Sequence, residues 1–287
     1  MKQKDFIVSP GKRLRLKDRD PGFTAHFKNE EAARSSTEQS FETLAKHQDM
    51  LLAEESHALL IIVQAMDGSA KDGTIKSVMS NVDPQGCEAH NFKEPSDEEL
   101  GHDYLWRFVK HLPERGHITI FNRSYYEEVL VTRVHPEGLK KQQLPAEAKG
   151  KNIWKRRFDE INNFEQYLVN NGTLVLKFFL HISKEGQRKR LLERIELPEK
   201  KWKFSVSDIE ERGYWDDYMK AYEDALNHTS TKHAPWYIIP AEHRWLASAG
   251  VAEVVVSTLK SLKLRYPMMS KEQRGEMMKA KEQLESE

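Results

Sequence analysis

Lys71 and two aspartates, Asp67 and Asp72, occupy a turn rich in small residues that directly follows an apolar run at 59–63. Phosphate-binding loops have this form, a turn between a buried strand and a helix. Their backbone N–H groups and the helix N-terminus face the anion, and a lysine adds a positive charge. We therefore interpret this segment as a phosphate loop, with Asp67 and Lys71 as catalytic candidates.

The loop differs from the common pattern G-x-x-x-x-G-K-[ST]. Ala65 and Ala70 stand at the two glycine positions, and Asp72 stands where the metal-binding hydroxyl belongs. Carboxylates would repel phosphate unless a cation lay between them, and Mg²⁺ binds through one or two carboxylates plus substrate phosphates. The pattern therefore indicates a magnesium-assisted site. The alternative is an ordinary turn in which Asp67 caps the helix and Lys71 is solvated.

Two other predicted strands end in residues that suit a phosphate site. Lys93 follows one of them, and Asn122 and Arg123 follow the other. In an open parallel sheet, ligands bind outside the carboxyl ends of the strands. Arg123 offers a fork of donors for phosphate oxygens, and a structural ion pair with Glu127 or Glu128 is its alternative. The alternative for Lys93 is an ordinary surface position, and for Asn122 a helix cap.

Composition limits the class of protein. The chain has 287 residues with 45 Lys+Arg and 45 Asp+Glu, so its formal net charge is zero. Basic residues are nevertheless concentrated locally, as in 1–19 and 184–203. Such patches fit a protein that grips a polyanion at one site, and we expect neither a nucleic-acid nor a membrane partner. A lone cysteine, Cys87, excludes an intrachain disulfide framework, and we expect a cytoplasmic protein.

Apolar runs alternate with amphipathic segments along the chain, which predicts an α/β fold with a parallel sheet. Strands are predicted at 58–64, 87–92, 117–121, 173–181 and 236–239. Helices are predicted at about 31–56, 72–81, 97–112, 152–170, 184–203, 208–228 and 248–263, with a polar helix from 270. We expect one domain over 1–287 that includes a basic N-terminal arm (1–30), a lid segment (184–212) and a C-terminal helix (265–287).

Five segments together resemble the polyphosphate kinase 2 family over roughly residues 20–265. They are MDGSAKDGTIKSVM, DPQG, FKEPSDEELGHDYLWR, LPERGHITIFNRSYYEEVLVTRVHPE and KFFLHISKEGQRKRLLERIELPEKKWKFS. Asn122 and Glu127 within FNRSYYE resemble the class III branch, because class I enzymes more often have aspartate and asparagine at these positions.

The resemblance implies a P-loop kinase-like three-layer α/β/α fold, related to thymidylate kinase, with a helical lid. It implies phosphoryl transfer from inorganic polyphosphate to ADP and AMP, and also to guanine nucleotides. Mg²⁺ is the implied cofactor, with Mn²⁺ as a substitute, and the implied assembly is a homodimer or homotetramer.

Roles for individual residues follow from the resemblance. Asp67, Lys71 and Arg123 are implied to be catalytic, and Asn122 and Glu127 to bind nucleotide. The expected metal ligands are Asp67, Asn122 and Glu127. Phosphate or polyphosphate contacts are expected from Ala70, Asp72, Gly73, Thr74, Lys93, Arg133, Arg190 and Arg194.

One departure from the family concerns Ala70, which stands where the family usually has glycine. If the backbone there needs a positive φ, alanine costs on the order of 1 kcal/mol, unless Gly68 relieves the turn. Two other functions stay open: an ATP-dependent kinase of small molecules or nucleoside monophosphates with the same fold, and a non-catalytic polyanion-binding module. Only Ala70 supports the second of these.

Overall fold

A computed structural model describes residues 1–287, which contain one five-stranded sheet of order β2-β3-β1-β4-β5. All neighbouring strands are parallel. The strands are β1 (Ala58–Ala65), β2 (Cys87–Asn91), β3 (Ile118–Asn122), β4 (Thr173–His181) and β5 (Trp236–Pro240). The carboxyl end of central β1 is therefore flanked by the ends of β3 and β4, so the phosphate loop lies at the middle of the sheet edge.

The connections between strands are mainly helical. In chain order the α-helices are α1 (Glu30–Glu54), α2 (Lys71–Met79), α3 (Asp97–Leu100), α4 (Trp106–Val109), α5 (Val131–Val134), α6 (Glu137–Lys141), α7 (Ile153–Asn170), α8 (Lys184–Glu196), α9 (Ser207–Gly213), α10 (Trp215–Thr229), α11 (Arg244–Ser261) and α12 (Lys271–Glu285). No helix combines the length and apolar character that a bilayer crossing needs.

Two hydrophobic cores lie on opposite faces of the sheet. Side chains alternate along β1, so Leu59 and Ile61 enter the core formed with α1, α2 and α11, whereas Leu60 and Ile62 enter the core formed with α7 and α10. This is the expected three-layer α/β/α arrangement. Both faces of β1 are covered, which explains its continuous apolar sequence.

Three predicted helices are interrupted. The segment 97–112 forms α3 and α4, because a turn separates them in which the Asp103 carboxylate accepts the N–H of Leu105 at 2.9 Å. The segment 184–203 leaves the α-helix at Glu196, since Pro198 disfavours helical geometry in the residue before it. The segment 208–228 is divided at Tyr214 into α9 and α10.

The basic arm packs along the edge of β5. The Val8 N–H donates to the Trp236 carbonyl at 2.8 Å, and the Ile238 N–H donates to the Phe6 carbonyl at 2.9 Å. Ile7 forms an antiparallel bridge with Tyr237. The arm therefore covers the free edge of β5, which would otherwise be open to pairing with another chain.

Candidate active site

The loop between β1 and α2 bends at two left-handed residues. Gly68 has φ +79° and Ala70 has φ +68°, so Gly68 does not relieve Ala70 of a positive φ. Alanine in this region costs about 1–2 kcal/mol, because its Cβ approaches the backbone oxygen. Ala70 is the N-cap of α2 and offers no side-chain cap. The first N–H groups of α2 are thus left to other acceptors, as a phosphate site requires.

Helix α8 holds this loop from the side. The Gln187 amide donates to the Asp67 carbonyl at 2.9 Å, and the Arg190 guanidinium donates to the Gly68 carbonyl at 2.8 Å. A Cβ at Gly68 would lie 3.4 Å from Cγ of Gln187. The loop is therefore bound to α8 through the carbonyls of Asp67 and Gly68, and the buried Ser69 donates its N–H and its hydroxyl to the Met66 carbonyl within the loop.

Lys71 contacts the end of the neighbouring strand. Its Nζ donates to Oδ1 of Asn122 at 2.5 Å, and Nδ2 of Asn122 donates to Oδ1 of Asp72 at 3.1 Å. Burial and the nearby Arg123 guanidinium lower the pKa of Lys71. Asn122 thereby links the two sequence motifs, as their positions at adjacent strand ends predicted.

Arg123 lies between two carboxylates. Its Nη2 is 3.6 Å from Oδ1 of Asp67, and the Glu127 carboxylate raises the pKa of Arg123. Burial raises the pKa of Glu127 despite the neighbouring Arg123 and Lys71. Glu128, the other expected alternative partner, instead pairs with Arg157 at 3.3 Å. The Arg123 fork therefore remains largely available to a ligand.

A cleft of about 600 Å³, here called the phosphate cleft, is lined by residues 66–73, 91–94 and 122–123 and by residues of α8 and beyond. Eight Lys and Arg side chains line it, against four Asp and Glu. The basic residues are Lys71, Lys93, Arg123, Arg190, Arg194, Lys200, Lys203 and Arg244. Such an excess of positive charge in a concave site attracts a polyanion.

The two arginines of the segment that was expected to form a lid have protein partners. Arg190 donates to the carbonyls of Gly68, Ala241 and Glu242, and burial lowers its pKa to about 10. Arg194 pairs with Asp208 at 2.7 Å. Both line the phosphate cleft, but Arg190 holds the loop in place and does not present a free guanidinium, which differs from its expected role.

The other expected phosphate contacts divide into two groups. Asp72, Gly73 and Lys93 line the phosphate cleft. Thr74 does not line it, because α2 turns its side chain inward, where it is 2% exposed. Arg133 does not line it either, because it faces α10 and pairs with Asp224 at 2.7 Å. These two expectations are corrected by the geometry.

The donor atoms suit magnesium in part. The Asp67 and Glu127 carboxylates flank Arg123, and Mg²⁺ prefers oxygen ligands of this kind. No group of three or more acidic, histidine or cysteine side chains could hold a metal alone, so phosphates and water would have to complete the coordination. Asn122 fits poorly as a ligand, because its carbonyl oxygen already accepts from the Lys71 ammonium.

A second cavity adjoins the phosphate cleft and has aromatic walls. This aromatic pocket, of about 330 Å³, is lined by Phe92, Leu100, Tyr104, Phe108, Tyr125 and Val131 together with polar residues. Glu127 also lines it, and Arg123, Phe92, Lys93 and Glu94 belong to both cavities. The pocket suits a flat apolar group whose charged end reaches Arg123.

The sequence did not reveal this pocket. Arg107 lies on its wall, pairs with Glu99 at 3.2 Å and stacks 5.5 Å from the ring centres of Phe92 and Phe108. The available signal was FKEPSDEELGHDYLWR, which carries Phe92, Tyr104 and Arg107. From the linear sequence alone, however, this segment cannot be distinguished from an ordinary amphipathic helix.

The chain is similar to several known proteins over most of its length. The family model described as "Polyphosphate kinase 2" matches residues 27–267. A protein of Rhodopseudomonas palustris named ADP-polyphosphate phosphotransferase is 46% identical over 99% of both chains. One of Meiothermus ruber named AMP/ADP-polyphosphate phosphotransferase is 43% identical over 92% of this chain and 95% of its own. The crystal structure of polyphosphate kinase 2 from Arthrobacter aurescens superimposes with a TM-score of 0.89 at 36% identity, covering 98% of this chain and 97% of that one.

Proposed function

Because the chain belongs to the polyphosphate kinase 2 family, we propose that it transfers the terminal phosphoryl group of inorganic polyphosphate to ADP and AMP, forming ATP. One observation carries the proposal: the basic phosphate cleft and the aromatic pocket meet at Arg123. A long polyanion fits the cleft, a nucleoside fits the pocket, and the reacting phosphates would meet at their junction.

Phosphoryl transfer depends on positioning and charge neutralisation more than on covalent chemistry. Lys71, held by Asn122, supplies a partly desolvated positive charge beside the loop. Arg123 supplies two parallel N–H donors at the junction of the cavities, where it can hold phosphate oxygens of donor and acceptor. The excess of basic side chains in the phosphate cleft then aligns the rest of the polyphosphate chain.

Mg²⁺, or Mn²⁺ in its place, belongs to the proposal. Asp67 and Glu127 would hold it, since both are carboxylates at the junction and neither forms an ion pair shorter than 3.6 Å. When bound, the ion neutralises charge on the polyphosphate and on the acceptor phosphates. Loss of activity on chelation and its return with Mg²⁺ or Mn²⁺ are the expected results.

Acceptance of both AMP and ADP is the finer part of the proposal. The two relatives differ here, because one is named for ADP alone and the other for AMP and ADP. Asn122 and Glu127 favour class III, and Glu127 lies in the aromatic pocket beside Arg123. We extend the acceptors to GDP and GMP, because the pocket walls are aromatic surfaces that any purine can contact.

The alternative is an ATP-dependent kinase of small molecules, which the names of the relatives do not favour. The deciding experiment mixes purified protein with Mg²⁺, polyphosphate and ADP, then AMP, and follows ATP. ATP formed from ADP only when polyphosphate is present supports the proposal. A protein that phosphorylates small molecules from ATP but forms no ATP from polyphosphate would fit the alternative.

Two expectations about the whole protein complete the proposal. The family resemblance supports a homodimer or homotetramer, which light scattering of the purified protein would measure. A single buried thiol, Cys87, supports a reducing, cytoplasmic location. Fractionation of cells that express the protein is the corresponding test.

A further inference from the structure

A fully buried ion pair lies in the core directly below the turn that follows Arg123. Lys177 of β4 and Glu165 of α7 are each 0% exposed, and their Nζ and Oε2 are 2.5 Å apart. Neither lines the phosphate cleft or the aromatic pocket. Replacing a buried ion pair by apolar residues often leaves the stability of a protein unchanged or raises it. A contribution to stability alone therefore does not explain why this pair is present.

Every polar atom of this pair has a partner. The Lys177 ammonium has three N–H donors, and it donates to Glu165, to the Tyr126 hydroxyl at 2.9 Å and to the Thr229 carbonyl at 2.7 Å. The other Glu165 oxygen, Oε1, accepts the hydroxyls of Tyr125 and Tyr126 at 2.9 Å each. A fully satisfied buried network of this kind fixes the geometry of the groups that it joins.

The two tyrosines connect this network to the active site. They are consecutive in the 3₁₀ turn Tyr125–Glu128, in which residues lie about 120° apart around the axis. Since both hydroxyls meet at one Glu165 oxygen, two of the three faces of the turn are tied to the core, and the Tyr125 ring also borders the aromatic pocket. Glu127 is left on the third face, where it lines the aromatic pocket.

Arg123 shows that this part of the backbone needs support. Its φ is +66°, a left-handed conformation that a non-glycine residue keeps only when its surroundings determine it. The next residue, Ser124, is also fixed, because its Oγ accepts the N–H of Tyr126 at 3.2 Å and the amide of the buried Gln64 at 3.4 Å. The chain on one side of Arg123 is therefore anchored in the core.

We infer that Lys177 and Glu165, acting through Tyr125 and Tyr126, are positioning residues that hold Arg123 and Glu127 at the junction of the phosphate cleft and the aromatic pocket. Lys177, Glu165 and Tyr126 line neither cavity, and Tyr125 borders the aromatic pocket while its hydroxyl bonds to Glu165. The inference rests on the proposed function, because its readout is the phosphorylation of AMP and ADP. Loosening the anchor would disturb the acceptor side most, because the seven other basic side chains of the phosphate cleft would still bind polyphosphate.

Tyr126→Phe is the sharpest test, because it removes one hydroxyl and leaves the ion pair in place. We expect kcat with AMP to fall about tenfold, since small misplacements of reacting groups have effects of this order or larger. The KM for polyphosphate should not change, and kcat with ADP should fall less. Tyr125→Phe should act in the same direction.

Tyr237→Phe is the matched control. Tyr237 is also a buried tyrosine, 2% exposed, and its hydroxyl accepts one hydrogen bond from Gln3 at 2.6 Å, but it lies on the opposite face of the sheet. We expect this variant to lose some thermal stability and to keep wild-type turnover with both acceptors. If Tyr126→Phe behaves in the same way, the network serves stability only and the inference fails.

A double-mutant cycle with Glu127→Gln decides whether Tyr126 acts through Glu127. Coupled residues are non-additive, so Tyr126→Phe should change AMP turnover by less than about twofold in the Glu127→Gln protein. A full tenfold loss on top of Glu127→Gln would overturn the part of the inference that assigns Glu127 to the anchor. A wild-type protein that phosphorylates neither nucleotide from polyphosphate would contradict the proposed function instead, so the two failures are distinct.

Discussion

The phosphate cleft and the aromatic pocket share Arg123, but the first is lined mainly by charged side chains and the second has apolar walls. The cleft is open, and its lining contains eight basic side chains against four acidic ones, several of them at strand ends or on α8. The pocket is smaller, and its apolar walls come from the segment 100–108, from α5 and from the residues that follow β2 and β3. The composition of the cleft therefore suits recognition of charge, whatever the length of the chain that carries it, whereas the pocket suits recognition of shape. The division suits a variable polyanionic donor and a defined nucleoside acceptor.

The largest loss of turnover should come from removing a charged side chain of the phosphate cleft that serves the reaction with ADP and with AMP alike. Lys71→Ala and Asp67→Asn should each lower turnover by about 10²- to 10³-fold, the usual loss when a charge-stabilising contact in a desolvated site is removed. Steady-state kinetics with ADP and with AMP measure this. The losses should be similar for the two acceptors.

Lys76→Ala is the matched control, because Lys76 is an exposed lysine on the same helix outside the phosphate cleft. It should keep wild-type turnover. Near wild-type turnover in Lys71→Ala or Asp67→Asn, with the fold intact by circular dichroism, would show that the catalytic site lies elsewhere.

Filling the pocket should separate the two regions. Val131→Trp places a large side chain in the aromatic pocket and should raise the KM of both nucleotides about 10- to 100-fold, which is the scale of discrimination by apolar pockets. The KM for polyphosphate should stay unchanged, because Val131 does not line the phosphate cleft. Val109→Trp, at an exposed position outside both cavities, is the control. Equal increases for polyphosphate and nucleotides would contradict the division.

Glu127 tests the junction itself. Glu127→Asn should lower AMP phosphorylation about tenfold more than ADP phosphorylation, because we expect the shorter acceptor to depend more on the Mg²⁺ that Glu127 would hold at the junction. Kinetics with each nucleotide at saturating polyphosphate give the ratio. An unchanged ratio of AMP to ADP turnover would remove Glu127 from acceptor selection.

The pH profile gives a second readout for the same residue. Burial raises the pKa of Glu127, so this carboxylate takes up a proton at higher pH than an ordinary glutamate as the pH falls. AMP turnover should decline on this acidic limb before ADP turnover does, and Glu127→Gln should remove the difference between them. The sign for stability is opposite: above this pKa the buried charge costs stability, and the cost is relieved as the pH falls.

The smallest effect concerns backbone strain in the cleft. Ala70→Gly removes the Cβ from a residue at φ +68° and should raise the free energy of unfolding by up to about 1 kcal/mol, with equal or higher activity. Ala45→Gly within α1 should instead lower the free energy of unfolding by about 1 kcal/mol. Urea denaturation measures both. A destabilised or inactive Ala70→Gly would show that the alanine is needed for the shape of the loop.

The difference between the phosphate cleft and the aromatic pocket also explains which parts of the site could be predicted from the sequence. Strand ends in a parallel sheet converge, so Asp67, Lys71, Asn122 and Arg123 could be brought together from their positions alone, and the strands were predicted within a residue or two. The aromatic pocket could not be predicted, because its walls meet only when short helices fold back. The partners of Arg190 could not be predicted either. The pattern of residues along the sequence does not show that a basic side chain will form its hydrogen bonds with backbone carbonyls.

The most direct test of the two-cavity arrangement is a time course with AMP, polyphosphate and Mg²⁺, followed by ³¹P nuclear magnetic resonance in protein verified to be free of adenylate kinase. If the pocket holds the nucleoside and the junction accepts either phosphate length, ADP should appear first and ATP should follow, with polyphosphate as the only phosphoryl donor. AMP left untouched in this mixture, while a parallel reaction that starts from ADP yields ATP, would contradict acceptance of both nucleotides at one junction.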